Sequence, residues 1–386
     1  MFAKIQAHGA RATCFFNNKG GVGKTTLVAN LGAELSLNFA AKILVVDADP
    51  QCNLTQYVLG EEESLDIYSS NDPASVYSVI RPLSLGKGYG AELPVRRSES
   101  FGFDIIVGDP RLALQEDLLA NDWRDAKGGG MRGIRTTYVF ADVVAKAKSM
   151  NYDFVFFDMG PSLGAINRSI LLAMDFFVVP MSIDIFSTWA IKNIGSTVAV
   201  WQKELKTGIS LAEDPSEIPS IDQARNLKFL GYVTQQHKER ARDDTEAEAA
   251  AEAHGGPDDQ EHLKGDDPAM SVDGATTDSN GEGDPILDNG DRVKARRKRL
   301  VQAYEDINAG FPKEIERNLG QFYDSKAMDP HLGNIRHLGS LAPMSQSQHA
   351  PMISVRGKGS YTQLRKQARE IYRGIASRYI ENLTKI

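Results

Sequence analysis

Short continuous apolar runs recur along the chain, each bounded by turn residues: Thr13–Phe16, Ile43–Val46, Asp104–Val107, Phe154–Phe157, Phe176–Val179 and Phe229–Val233. Continuous runs of Val, Ile and Phe, rather than alternating ones, suit strands covered on both faces. Between several of them the spacing turns helical: Leu27, Leu31 and Leu35 recur at four-residue intervals after the first run. Strand, helix, strand alternation predicts an α/β fold with a doubly wound, mostly parallel sheet flanked by helices. Segments 60–100 and 110–135 read as longer excursions from that rhythm. Within them Lys127-Gly-Gly-Gly-Met-Arg-Gly133 reads as a mobile loop, a glycine cluster with no capped helix after it. Near the end, Tyr361, Leu364, Ala368, Ile371, Ile375, Tyr379 and Leu383 repeat at helical spacing and predict an amphipathic helix packed on the sheet. No run of 18 apolar residues exists, which excludes a membrane-spanning helix of ordinary composition.

Composition changes this picture in one region. The formal net charge of -7 is unevenly spread: from Asp243 to Asp291 there are 16 Asp/Glu and one Lys, a net of -15, which leaves the rest of the chain at +8. That stretch is rich in Gly, Ala, Ser and Thr and cannot bury enough apolar surface to offset its ordering entropy, so it reads as a disordered insertion. Arg292-Val-Lys-Ala-Arg-Arg-Lys-Arg299 follows it, with six basic residues in eight. The expected organisation is a core over 1–235 with an excursion near 60–135, an insertion over 236–310 that closes on a basic helix, and a return to the core over 311–386. Cys14 and Cys52 are the only cysteines, which excludes a disulfide scaffold and a four-cysteine zinc site. The N-terminal stretch lacks the long apolar core of a secretory signal, so a cytoplasmic protein is expected.

The strongest chemical signal is Phe15-Phe-Asn-Asn-Lys-Gly-Gly-Val-Gly-Lys-Thr-Thr26, between a predicted strand and a predicted helix. Small residues at Gly20, Gly21, Val22 and Gly23 let consecutive backbone N–H groups curl around phosphate oxygens, and the helix start at Lys24, Thr25 and Thr26 adds unsatisfied N–H groups and a positive dipole end. Lys24 is placed to reach β- and γ-phosphates and Thr25 to hold Mg²⁺. The usual first glycine of such loops is Asn18 here, and an additional lysine, Lys19, sits inside the loop. At the end of the next strand, Val46-Asp-Ala-Asp-Pro-Gln-Cys-Asn-Leu-Thr55 sets Asp47 and Asp49 on one side of the chain by alternation, at the sheet edge where α/β proteins bind ligands. One carboxylate can hold a metal-bound water and the other can orient an attacking water. A third segment, Phe157-Asp-Met-Gly-Pro-Ser-Leu-Gly164, offers Asp158 near Mg²⁺ and Gly160 near the γ-phosphate. A single Asp after a strand is often only a helix cap. Three such segments in this order make a nucleotide site the stronger reading.

These segments resemble the ParA/MinD family of deviant-Walker P-loop ATPases, most closely its ParA-type partition members, over about 11–60 and 140–235 and more weakly over 330–386. The resemblance implies ATP and Mg²⁺ as cofactors, slow ATP hydrolysis, and a homodimer with ATP sandwiched between protomers. Lys19 would cross to the partner's nucleotide, Asp49 would orient water, and Asp47 and Asp158 would stand near Mg²⁺. Thr234, with Gln235 after it, and the loop around Pro343 are the positions that match adenine contacts. ParA-like proteins bind DNA without sequence preference, and a ParB-like or other partner stimulates them. Two basic clusters match that role: Arg292, Arg296, Arg297 and Arg299, and the stripe Arg365, Arg369 and Arg373. The bland reading of each is a solvated face. Only about ten residues precede the first strand, so the operator-binding helix-turn-helix of some members is not expected and a nucleoid-associated, orphan or chromosome-type ParA is the nearer comparison. The alternatives are a MinD-like ATPase acting at a membrane through its C-terminal helix, and an ATPase subunit of a mobile-element or phage-defence system. Iron–sulfur carrier ATPases share the fold but use paired cysteines elsewhere in the chain.

Overall fold

The computed structural model describes residues 10–218, 221, 226–235 and 306–386. The chain divides into two units, residues 1–237 with 307–386 and residues 238–306, and the elements named here belong to the first. The acidic stretch 243–291 and the cluster Arg292, Arg296, Arg297 and Arg299 lie outside the described residues.

Eight strands, β1 (Arg11–Phe15), β2 (Ile43–Ala48), β3 (Val95–Ser98), β4 (Phe103–Ile106), β5 (Phe154–Met159), β6 (Phe176–Ser182), β7 (Lys228–Gln235) and β8 (His331–Ile335), form a sheet in the order β3-β4-β2-β5-β1-β6-β7-β8. Every neighbouring pair is parallel except β3 and β4. The helices are α1 (Lys24–Phe39), α2 (Asn53–Val58), α3 (Glu61–Tyr68), α4 (Val76–Ser84), α5 (Glu116–Lys127), α6 (Met131–Thr137), α7 (Val139–Ser149), α8 (Ala165–Ala173), α9 (Ile185–Leu211), α10 (307–319), α11 (Leu341–Ser347) and α12 (Ser360–Lys385).

The apolar runs are continuous because both faces of the sheet are covered. Along β5, Phe154 and Phe156 each meet Tyr379 of α12 at 5.7 Å between ring centroids, while Phe157 points the other way and meets Phe140 of α7 at 5.8 Å. Parallel pairing of β2 with β5 sets Asp47 opposite Asp158, so both carboxylates emerge at the same edge of the sheet. That edge is the C-terminal one, where open α/β sheets bind ligands.

The predicted C-terminal helix forms and buries Ala368, Tyr372, Ile375, Ala376, Tyr379, Ile380 and Leu383. Burial of a side chain such as Ile375 or Ile380 contributes about 2 kcal/mol. The Tyr379 hydroxyl lies 2.7 Å from that of Thr13 on β1, and Asn382 donates to the carbonyls of Leu230 and Asp329 at 3.0 and 2.8 Å. These bonds fix α12 along the helix axis as well as onto the sheet.

Two strands differ from the sequence expectation. The sequence of β3, Val-Arg-Arg-Ser, has no apolar run because it is an antiparallel edge strand, with Arg97 paired to Asp104 at 3.3 Å. The sequence of β8, His-Leu-Gly-Asn-Ile, also lacks one, and its Gly333 leaves room for α12: a Cβ there would lie 2.9 Å from Ile375 Cγ1. The stretch Lys127–Gly133, expected as a mobile loop, is instead the end of α5, a turn over Gly128–Gly130 and the first residues of α6. The amides of Gly128 and Gly130 donate to the Asp125 carbonyl at 3.0 and 2.9 Å, and that of Gly133 to the Asp125 carboxylate at 2.8 Å. A Cβ on Gly133 would sit 2.2 Å from the Asp122 carbonyl, so these glycines serve close helix–helix approach.

Candidate functional site

The loop between β1 and α1 is built on Asn17. Its buried side chain donates to the Pro180 carbonyl on β6 at 2.7 Å and accepts the Lys19 amide at 2.9 Å. Val22 is fully buried and anchors the middle of the loop. Gly21 and Gly23 have φ of +72° and +71°, which glycine adopts without strain. Space around a Cβ at Gly20 or Gly21 is open, whereas one at Gly23 would lie 2.1 Å from the Gln235 side chain. Gln235 donates to the Gly23 carbonyl at 3.1 Å and so ties the end of β7 to the start of α1. Lys24 folds back over the loop and donates to the carbonyls of Asn17 and Lys19 at 3.3 and 3.2 Å. Burial lowers its pKa, and the charges of Asp158 and Asp49 partly oppose that shift. The Thr26 carbonyl accepts Asn30 within α1 at 2.9 Å.

Three carboxylates stand beside this loop in different environments. Asp158 accepts the Thr25 hydroxyl on Oδ2 at 2.7 Å, while its buried Oδ1 has no hydrogen-bond partner. Burial, then the nearby Asp47 charge, pushes its pKa up to about 8. Asp47 accepts the backbone N–H and the hydroxyl of Thr55 at 2.8 and 2.6 Å, and burial still raises it to about 6. Thr55 passes the arrangement on by accepting the Gly108 amide at 2.8 Å. Asp49 lies just beyond β2 and accepts the Gln51 amide on Oδ1 at 3.0 Å. A Cβ on Gly160 would lie 3.3 Å from the same oxygen, so the backbone after β5 passes close to Asp49.

The loop opens on a cleft of about 650 Å³ lined by Gly20 to Thr25, Asp49, Gln51, Asn53, Gln56, Tyr57, Pro161 and Gln346. Two expected adenine positions are not among the lining residues. Thr234 is buried and bonds Asn334 of β8; Pro343 lies on α11, whose Gln346 reaches the cleft instead. Gln51, Asn53, Gln56 and Tyr57 are polar or aromatic residues around α2 that no motif flagged, although Gln51 and Asn53 fall inside the second segment.

Lys19 forms an ion pair with Asp184 at the start of α9, with both side chains 31% exposed. Its ammonium also lies 5.9 Å from the Phe186 ring. Asp184 accepts the Ser187 amide at 3.0 Å and so caps α9. Beside this pair Ile185, Phe186 and Trp189 are 59%, 68% and 58% exposed.

No group of three or more His, Cys, Asp or Glu side chains is arranged to hold a metal among the described residues. The Thr25 hydroxyl and Asp158, 2.7 Å apart, are the side chains beside the loop that would offer oxygens to a divalent cation together with a ligand. The unpartnered Asp158 Oδ1 and its raised pKa fit that role, because a cation would supply the counter-charge that stabilises the ionised carboxylate. Cys14 and Cys52 are both buried, and burial pushes both thiols well above the ordinary value. The stripe on α12 has partners within the molecule, with Arg369 and Arg373 still exposed. Arg365 donates to the carbonyls of Val355 and Gly357 at 3.0 and 3.4 Å, Arg369 to that of Ile353 at 2.9 Å, and Arg373 stands 3.7 Å from Glu34. Among the described residues no helix is long and apolar enough to cross a membrane.

A family model described as an AAA domain (AAA_31) matches residues 10–211, just over half of the chain. The sporulation initiation inhibitor protein Soj of Bacillus subtilis is 28% identical over 199 residues, which is 50% of this chain and 67% of that protein. The chromosome-partitioning ATPase Soj of Treponema pallidum is 29% identical over 198 residues, 51% of this chain and 67% of that protein. The crystal structure of a protein from Corynebacterium diphtheriae aligns with 35% identity and a TM-score of 0.53, covering 62% of this chain and 86% of that one.

Proposed function

We propose, because the chain belongs to the ParA/MinD-type P-loop ATPases, that it is an Mg²⁺-dependent ATP hydrolase whose nucleotide state switches it between a single chain and an ATP-bound homodimer. The observation that carries this reading is the convergence of the glycine loop, Lys24, Thr25, Asp158 and Asp49 on one cleft. In this reading the amides from Gly20 to Thr26 bind the phosphates, and Lys24 exchanges two loop carbonyls for phosphate oxygens. Thr25 and Asp158 would hold Mg²⁺, with Asp47 behind them, and the ion would supply positive charge to the phosphate oxygens. Asp49 orients the attacking water rather than deprotonating it, since phosphoryl transfer has a loose transition state. Near the adenine, Gln346 of α11 lines the cleft three residues beyond Pro343, and Thr234 with Gln235 stands at the end of β7.

Lys19 is the residue that makes the reaction an event between two copies, by the logic of an arginine finger. Its ion pair with Asp184 is partly exposed and contributes about 1 kcal/mol or less, so it yields readily to a partner's triphosphate. The exposed Ile185, Phe186 and Trp189 beside it support a second copy covering this rim. Phosphate release should require Mg²⁺, disappear in Lys24→Ala together with nucleotide binding, and fall steeply in Asp49→Ala with binding retained. Full turnover by Asp49→Ala would contradict its role.

DNA is the second ligand of this reading, bound without sequence preference by phosphate contacts. Arg365 and Arg369 hold backbone carbonyls and Arg373 faces Glu34 while remaining 67% exposed, so the stripe stays a candidate beside the denser run Arg292, Arg296, Arg297 and Arg299, and the denser run is tested first. Alanine at those four positions should flatten the salt dependence of plasmid binding; an unchanged slope removes them from the interface. The MinD-like alternative loses its main support, because the apolar face of α12 is packed on the sheet.

A further inference from the structure

Helix α8 follows the Asp158–Gly164 segment directly, yet its N-terminus has no cap of its own: Gly164 occupies the cap position without a side chain. The missing acceptor comes from another element. Glu116, the first residue of α5, accepts the amides of Ala165 and Ile166 on its two carboxylate oxygens, the second at 3.1 Å. A Cβ on Gly164 would lie 2.4 Å from Glu116 Oε1, so glycine there makes room for this remote carboxylate. One turn further on, Arg168 of α8 donates to the Leu119 carbonyl of α5 at 3.3 Å and lies over the Trp123 ring at 4.6 Å. Helix α5 thus grips α8 at two levels.

The grip extends to the reaction centre. Asn167, on the first turn of α8, donates to the carbonyls of Gly160 and Ser162 at 2.8 and 2.6 Å. Gly160 in turn passes against Asp49, and Asp158 bonds Thr25. A short chain of contacts therefore links Glu116, the α8 N-terminus, Asn167, and the backbone between the Mg²⁺ carboxylate and the residue assigned to the attacking water.

We propose that Glu116 is a positioning residue for ATP hydrolysis: through the N-terminus of α8 and Asn167 it holds the Gly160–Gly164 backbone in register with Asp49. This rests on the ATPase reading above. The α5–α6 hairpin, which the sequence offers only as an excursion, is on this account part of the machinery that sets the turnover rate. Misplacing a reacting group by about an ångström costs up to about a hundredfold in rate, so a partial loosening is expected to cost about tenfold.

The test compares Glu116→Ala and Glu116→Gln with the wild-type chain in two ways. In the nucleotide-free protein, amide hydrogen exchange over 160–167 should quicken by about tenfold in Glu116→Ala, with α1 unchanged, because local opening follows the loss of local bonds. With ATP and Mg²⁺, kcat should fall by about tenfold while ADP affinity stays within about twofold. Glu116→Gln keeps an acceptor oxygen and should lie between the two, about threefold down. It carries the test alone should the alanine variant fail to fold. Wild-type exchange and kcat in the folded variants would overturn the proposal, as would ADP affinity falling in step with kcat. A wild-type chain that hydrolyses no ATP would instead overturn the ATPase reading, and the exchange experiment would still decide whether Glu116 holds the loop.

Discussion

A methyl group at Gly23 would sit 2.1 Å from the Gln235 side chain, on a backbone held at φ +71°. Gln235 can swing away, but the left-handed backbone cannot be relieved and costs an alanine about 1–2 kcal/mol. Gly23→Ala should therefore lower the melting temperature by several degrees and weaken ATP binding at least tenfold, read by calorimetry; wild-type values in both would show that the loop tolerates a side chain here. Asp158 allows the opposite prediction. Its Oδ1 is buried without a partner, and with its pKa raised to about 8 the carboxyl must take up a proton when the nucleotide-free chain folds near neutral pH, which costs stability. Asp158→Asn should raise the stability of the nucleotide-free protein by about 1 kcal/mol or more in urea while weakening Mg²⁺-ATP binding. Loss of stability would place the value of this carboxylate in the fold rather than in the metal. Lys24, Thr25 and Asp158 are legible in the sequence because phosphate and Mg²⁺ chemistry fixes their types within short segments. Glu116 is not, and Gln235, named beside Thr234, is not legible as the partner of Gly23, since each acts on a residue brought to it by folding: 49 positions away for Glu116 with Ala165, and 212 for Gln235 with Gly23.

Among the elements, the strands buried on both faces announce themselves as apolar runs, and β3 and β8 at the two ends of the sheet do not. The edge strand β3 needs no second apolar face, and β8 spends Gly333 on the approach of α12. The arginine stripe of α12 shows the complementary limit. Its four-residue spacing identifies a face but not what that face meets, and folding turns Arg365 and Arg369 onto backbone carbonyls. Arg373 faces Glu34, a carboxyl of α1 that is only 1% exposed and also accepts Asn38 at 2.7 Å. Burial raises its pKa against the opposing effects of Asn38, Arg373 and Arg369. A raised carboxyl means that the folded chain holds the proton more tightly than the unfolded one. Between the ordinary value of about 4.3 and the raised one, the stability it contributes falls as pH rises. Glu34→Gln keeps the bond to Asn38 and removes that slope. Its stability relative to wild type should grow as pH is raised from about 4 to 7, measured by urea titration; a constant difference would mean that Arg373 already compensates the charge.

At the scale of the whole molecule the charge is divided, with -15 over 243–291 and +8 elsewhere. The net charge alone therefore says little about affinity for a polyanion. The described core offers the rim of the nucleotide cleft as its exposed apolar surface near Lys19, through Ile185, Phe186 and Trp189. That rim follows from the end of β6 and the start of α9. Each part lies in a segment the sequence marks, but their pairing is not legible there, because Lys19 and Asp184 are 165 positions apart. The most direct measurement is light scattering after size exclusion on the Asp49→Ala chain with Mg²⁺ and ATP, ADP or no nucleotide, alongside the same chain carrying Lys19→Ala. A dimer with ATP alone, lost when Lys19 is removed, is the predicted result. A single mass under all conditions, or a dimer indifferent to Lys19, would contradict it.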